Sequence, residues 1–267
     1  MRESVDHKGS RPKVMLKRNL ASIAGGRLLS GDKRIATGYA ALDEALGGGL
    51  AGGRVHELFA ESVDDVPSTI GFAAMLALRA VGRRSPIFWL RTDESERLGG
   101  RLHGPGLVEL GGDPDSLVLG VAPDTKALLK AAADAARCPG LSALIVECRG
   151  QCPTFDLTAS RRLALAVEQS GATLFLLRLE AEPIPSAADT RWAVSAAPSR
   201  LLEADAPGPP MFEIELLRRR AGPAGMRWQL EWNRDQLIFA DPALSGAMVS
   251  LPSSRPAAPA AELRLSA

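Results

Sequence analysis

An α/β architecture follows from three features of this chain: a mostly parallel sheet between two layers of helices, with an antiparallel extension at its C-terminal end. Short apolar runs alternate with helical patterns from about residue 54 to residue 177, the order of a parallel sheet built from β-α-β units. The run Leu144-Ile145-Val146 is wholly apolar, as a strand covered on both faces requires. Beyond residue 190 strand-like segments follow one another without helices between them, which predicts antiparallel pairing.

Taken in order, residues 54–59 read as the first core strand. Behind it, Ile70, Phe72, Ala73, Leu76, Ala77 and Ala80 recur at helical spacing. Residues 87–90 and 117–119 read as the second and third strands. Residues 124–137 form an Ala/Leu-rich helix with Asp124 placed as its N-cap. A fourth strand around 144–146, a helix over 156–170 and a fifth strand over 172–177 complete the alternating part. The extension consists of 191–195, 211–217, 226–232 and 237–239, with residues 221–225 (Ala-Gly-Pro-Ala-Gly) turning one hairpin. Trp228 and Trp232 stand four apart on a strand and so share a face, where packing is expected rather than base stacking.

Composition sets the outer bounds. The 267 residues suffice for one large domain with tails: a basic arm over 1–34 carrying a short amphipathic helix, a body over 35–240, and a Pro/Ala-rich tail over 241–267 expected to be disordered. With 32 Lys+Arg against 31 Asp+Glu there is no overall field drawing the chain to nucleic acid or lipid, so any such attraction is local. No apolar stretch reads as a signal peptide or membrane span, and a cytoplasmic protein with no membrane contact is expected. Cys138, Cys148 and Cys152 are odd in number and lack the spacing of a redox or zinc pair, which predicts reduced thiols. His7, His56 and His103 are scattered, so no metal site is expected.

The most specific motif precedes the first core strand. Ile35-Ala36-Thr37-Gly38 leads into Leu42-Asp43-Glu44-Ala45-Leu46-Gly47-Gly48-Gly49-Leu50, and then into 52–58 (Gly-Gly-Arg-Val-His-Glu-Leu). It reads as a short helix, a tight glycine reversal and a strand. This order resembles the entry to the core of RecA-family recombinases. The resemblance implies a RecA-like three-layer core with a phosphate loop directly after the strand.

A working phosphate loop has the pattern Gly-x4-Gly-Lys-Ser/Thr, in which amides cradle phosphates, the Lys reaches the outer phosphates and the hydroxyl ligates Mg²⁺. The chain has Ala60, Glu61, Ser62, Val63, Asp64, Asp65, Val66, Pro67, Ser68 and Thr69 there, and no lysine lies between Lys33 and Lys126. Pro67 lacks an amide proton where a donor is wanted. Asp64 and Asp65 are expected at the helix N-terminus, capping its amides and repelling a triphosphate. Ser68 and Thr69 stand as a relic of the hydroxyl pair. The expectation is a protein with no cofactor and no catalytic residue.

Other parts implied by the resemblance are altered as well. Glu147 stands at the end of the strand that normally supplies an Asp to Mg²⁺; it can hold a metal through water, or simply close a buried strand. Asp93 or Glu94 falls at the family's catalytic Glu position, or forms an exposed acidic turn. The two loops that contact DNA in RecA proteins correspond to short segments, 149–154 and 180–188, with Glu180, Glu182 and Asp189 against Arg178 and Arg191. That balance disfavours phosphate contacts of the recombinase kind. Leu177-Arg178 replaces the glutamine expected after the fifth strand.

A degenerate RecA-like core with short loops, a basic arm and a compact antiparallel end resembles the ImuA family, over about residues 35–239. That resemblance implies a non-catalytic accessory protein of a bacterial SOS-induced translesion synthesis assembly. Its implied partners are ImuB and an error-prone replicative-type DNA polymerase, extending to RecA and to weak contact with single-stranded DNA. Two other readings stay open: a divergent ATPase of the RecA/KaiC class using Glu94 or Glu96 with Glu147, and a SulA-like inhibitor of cell division. For nucleic-acid or partner contact the candidates are Arg218, Arg219 and Arg220, with Arg161 and Arg162 and with Arg83 and Arg84; the plain alternative is a solvated strand end.

Overall fold

The chain enters its fold through a small antiparallel pair, β1 (Arg34–Ile35) with β2 (Leu50–Ala51), around a short helix α1 (Ala40–Ala45). The computed structural model describes residues 33–81 and 86–242; the basic arm up to 32, Arg83 and Arg84, and the tail from 243 lie outside the described residues. Six parallel strands then form the body: β3 (Val55–Ala60), β4 (Ile87–Thr92), β5 (Leu117–Ala122), β6 (Ala143–Arg149), β7 (Thr173–Leu179) and β8 (Thr190–Ala196). The strands β9 (Met211–Arg219), β10 (Arg227–Asn233) and β11 (Ile238–Ala240) continue the sheet antiparallel. Across the sheet the order is β11-β10-β9-β8-β3-β7-β6-β4-β5.

Burial follows the sequence pattern. Every residue of β7 is buried, because helices cover both faces of the parallel strands. In β9 and β10 burial alternates instead, with Phe212, Ile214, Leu216, Leu230 and Trp232 inward. The long helix α2 (Val66–Val81) covers one face and packs on Leu58, Trp89, Ile145 and Phe175. The aromatic rings of Phe72, Trp232 and Phe212 surround Phe239 there, at 4.9–6.5 Å between centroids. Trp228 packs on Trp192, so both tryptophans of β10 serve the core as their spacing predicts.

The other face is covered by α5 (Thr125–Ala136) and α6 (Leu157–Ser170), over Val55, Phe88, Leu144 and Leu176. Asp124 accepts from the Ala127 amide and Asp156 from the Ala159 amide, each at 2.7 Å, and each such cap stabilises its helix by about 1 kcal/mol. Two shorter helices, α3 (Asp93–Gly99) and α4 (Gly104–Glu109), follow β4.

Both β4 and β7 run past the ends their apolar runs predict. Each takes in an arginine, Arg91 or Arg178, that is buried in the sheet. Among the described residues, no helix is long and apolar enough to cross a membrane.

Candidate functional site

The entry motif is organised around Asp43. The Asp43 carboxylate accepts from the Thr37 amide at 2.7 Å, the Thr37 hydroxyl at 2.8 Å and the Gly38 amide at 3.0 Å. Its carbonyl oxygen accepts from the Gly48 and Gly49 amides at 2.7 and 3.2 Å. Gly49 has φ +110°, and a Cβ there would lie 2.3 Å from the Ile35 carbonyl oxygen, so only glycine fits. The turn delivers the chain to β3, where His56 is fully buried. Its Nε2 donates to the Ala51 carbonyl at 2.9 Å, which leaves Nδ1 to accept from the Thr190 hydroxyl at 2.7 Å. Burial holds the imidazole below its ordinary pKa, and it serves as a neutral brace between β2 and β8.

Directly after β3 comes the segment that corresponds to a phosphate loop, and it is folded shut. The Glu61 amide donates to the Val194 carbonyl at 3.1 Å, on the neighbouring strand β8. Residues Val63–Asp65 form a 3-10 turn that runs straight into α2. Asp65 is the fastening: its carboxylate accepts from the Ser62 hydroxyl at 2.6 Å and from the Ala196 amide, at the end of β8, at 2.8 Å. This corrects one expectation. Asp65 does not cap the amides of α2; it ties the turn sideways to a strand.

Thr69 is fully buried, and its hydroxyl donates inward to the Asp65 carbonyl at 3.0 Å. Glu61, Asp64 and Pro67 are exposed around the turn, while Ala60 and Ser68 are half-buried. Val63 is exposed to 68% at its tip. The Glu61 amide is spent on β8 and the Asp65 amide on the Ser62 carbonyl, and the carboxylates of Asp64 and Asp65 stand at the turn.

Glu147 is also engaged. It lies in β6 with no exposed surface, and Arg91 of β4 reaches it at 3.4 Å. The same guanidinium donates to the Ser95 carbonyl at 2.7 Å and the Gly100 carbonyl at 3.0 Å, which fixes it under α3. Burial pushes the Glu147 carboxyl above the usual carboxylate range, and the Arg91 charge opposes that rise. Asp93 and Glu94 lie exposed in the first turn of α3, with Glu94 3.8 Å from Arg97. They form the exposed acidic turn that the sequence predicts.

On the opposite face of the sheet Glu57 pairs with Arg191 at 2.8 Å. Burial again raises the Glu57 carboxyl, against the pull of Arg191. Neither ion pair was found by sequence reasoning, although a lone Arg or Glu inside an apolar strand run was its signal.

The candidate contact arginines divide. Arg218 donates to the Ser186 and Ala188 carbonyls at 3.3 and 3.4 Å, and Arg219 to the Ala45 and Leu46 carbonyls at 2.6 and 2.7 Å. These two side chains fasten loops. Arg220, Arg161 and Arg162 are exposed. Arg219 also lines a cleft of about 160 Å³ with Lys33, Arg34, Arg54 and Asp189, a basic feature the sequence reading missed. Arg162 lines a second groove, of about 370 Å³ between α5 and α6, with Lys126, Lys130 and Arg137. Among the described residues, no cluster of three or more His, Cys, Asp or Glu is arranged to hold a metal.

No family model matches the sequence, and no curated protein does. Among solved structures, the chain is similar to the RadB recombinase. The superposition has a TM-score of 0.54 at 14% identity and covers 78% of this chain and 99% of that one. At that identity the likeness speaks for the fold. The class it defines, together with the sheet order and the entry motif, is a RecA-like α/β protein.

Proposed function

We propose that this chain is a non-catalytic accessory protein of a bacterial SOS-induced translesion synthesis assembly, related to the ImuA family. It acts by offering surfaces of a RecA-like body to ImuB and to an error-prone replicative-type polymerase. The observation that carries the reading is the Asp65 fastening, in which its carboxylate accepts from the Ala196 amide at 2.8 Å and holds the turn after β3 against β8. The burial of Thr69 and the engagement of Glu147 by Arg91 support it further, since both groups are committed to the protein itself. The entry motif and the compact antiparallel end are the features shared with that family. Contact with RecA, or weakly with single-stranded DNA through Arg161, Arg162 and Arg220, belongs to the same reading.

The test is a pull-down of tagged chain from cells with damaged DNA, followed by identification of what copurifies. Recovery of ImuB and the polymerase is expected, and their absence sinks the assignment. A parallel assay for Mg²⁺-dependent ATP hydrolysis is expected to read background. Turnover abolished by Glu147→Gln makes the chain an ATPase instead.

A further inference from the structure

The groove of about 370 Å³ between α5 and α6 combines an aliphatic floor with basic rims. Leu129 and Ala133 of α5 pack on the core beneath it, and Leu163 of α6 closes the floor from the other side. On the α5 rim, Lys126, Lys130, Ala133 and Arg137 follow one another by three or four residues and so form one stripe. Arg162 stands on the α6 rim. Asp134 is the carboxylate among the lining residues, and Arg137 takes it at 3.4 Å. Arg137 also turns back on its own helix, donating to the Ala133 carbonyl at 2.9 Å. Lys126, Lys130 and Arg162 are exposed and remain as cations around the opening. Leu165, 59% exposed, follows Arg162 by three residues and extends the apolar surface beyond the groove.

Such a surface suits an occupant that is apolar along one side and acidic at its edges. Single-stranded nucleic acid is the other polyanion that basic rims attract, and it is held by stacking its bases on aromatic rings. No residue lining the groove is aromatic, and Asp134 interrupts the basic rim. An amphipathic helix fits better. Lys126 and Arg137 lie about 16 Å apart along α5 at 1.5 Å per residue, roughly three turns of a helix laid beside it. The volume takes a row of side chains rather than a whole helix, whose diameter alone is about 10 Å. Aliphatic residues at i, i+3, i+4 and i+7 supply such a row, with acidic residues beside them to meet the rims.

We propose that the groove between α5 and α6 is a docking site for an acidic amphipathic helix of a partner protein. The aliphatic side chains of that helix enter between α5 and α6 over Leu129, Ala133 and Leu163, and its carboxylates meet Lys126, Lys130 and Arg162. Charge sets the partner and its orientation, and the apolar floor supplies most of the affinity. The site depends neither on the reading of the turn after β3 nor on which protein carries the helix. Nucleic acid at Arg162 is the competing occupant.

The experiment titrates the full chain into a fluorescent synthetic peptide of about 14 residues, with leucines at i, i+3, i+4 and i+7 and glutamates between them, read by anisotropy. The controls are a peptide of the same composition with the leucines scattered, one with lysine in place of glutamate, and an oligothymidine. Binding of the acidic amphipathic peptide alone is expected, weakening as salt is raised. The double variant Lys130→Glu/Arg162→Glu is expected to lose about tenfold or more in affinity and to gain affinity for the lysine peptide. Ala133→Trp, which fills the floor without changing charge, is expected to abolish binding. Thermal unfolding read alongside shows that each variant is folded, and the exposed charge reversals leave the core untouched. No binding, or equal binding of the amphipathic and scattered peptides, overturns the proposal. Oligothymidine binding that the double variant abolishes, with the peptide inert, overturns it in favour of nucleic acid. Failure to recover ImuB from cells leaves this result standing, because the probe is synthetic.

Discussion

The segments on either side of β3 were built by different means. Before the strand, Asp43 gathers the turn, its carboxylate and carbonyl serving the amides of Thr37, Gly38, Gly48 and Gly49. After it, residues 61–69 borrow partners from β8, through Glu61 to Val194 and Asp65 to Ala196. A local unit of the first kind stands whether or not a ligand follows it. A phosphate loop, by contrast, leaves a row of amides waiting for an anion, and when the anion is given up those donors need a new home or water. Here the Glu61 amide donates to the Val194 carbonyl of β8. The entry motif is therefore gathered by one residue, and the turn after the strand is held by its neighbour.

The contrast is broken most severely at Gly49. Gly49→Ala forces a side chain into φ +110° and against the Ile35 carbonyl, which is backbone and cannot step aside. A loss of about 3 kcal/mol or more is expected in denaturant unfolding, enough to unfold a marginal domain. Asp43→Ala comes next. It leaves the buried Thr37 amide and hydroxyl without their acceptor, for an expected loss of about 2–3 kcal/mol. If Asp43→Ala were neutral, the entry would not be held by the Asp43 carboxylate.

Much of this was legible in the chain. The strands of the parallel body are apolar on both faces, and the caps Asp124 and Asp156 stand where the helices begin. What was hidden lay where distant segments meet. The bond from Ala196 to Asp65 joins residues 131 apart, so local pattern pointed Asp65 at its own helix instead. Arg91 and Arg178 ended the strands too early on paper, since a buried arginine looks like a surface residue until its partners are seen. Arg218 and Arg219 read as a basic patch because the carbonyls that hold them belong to loops elsewhere in the chain.

On the other side of β3 the effects are smaller. Asp65→Ala removes two hydrogen bonds at a partly exposed turn, one of them the fastening to Ala196. The expected loss is about 1–2 kcal/mol, read by denaturant unfolding. Amide exchange at Ala196 is expected to speed up, with the exchange of β6 and β7 unchanged, because only the end of β8 is released. A fall in protection across the whole sheet would instead make the turn part of the frame, and the contrast between the two sides of β3 would dissolve.

The smallest stability effect is expected at Pro67, and it asks whether one lysine is all that separates this turn from a nucleotide site. Pro67 is exposed in the first turn of α2, so Pro67→Lys is expected to change stability by no more than about 0.5 kcal/mol. The new ammonium would stand beside Asp64 and Asp65, which neutralise it, and the Glu61 and Asp65 amides would stay committed to β8 and to their own turn. Added Mg²⁺-ATP is therefore expected to leave the melting temperature of Pro67→Lys where it is without nucleotide. A rise on the order of that produced by ligand at 100 times its Kd, about 2.7 kcal/mol, would mean that the turn opens readily and that Asp65 is a latch rather than a permanent tie. The double variant Asp65→Ala/Pro67→Lys separates the two: binding only in the double places the barrier in the fastening, and binding in neither places it in the missing glycines.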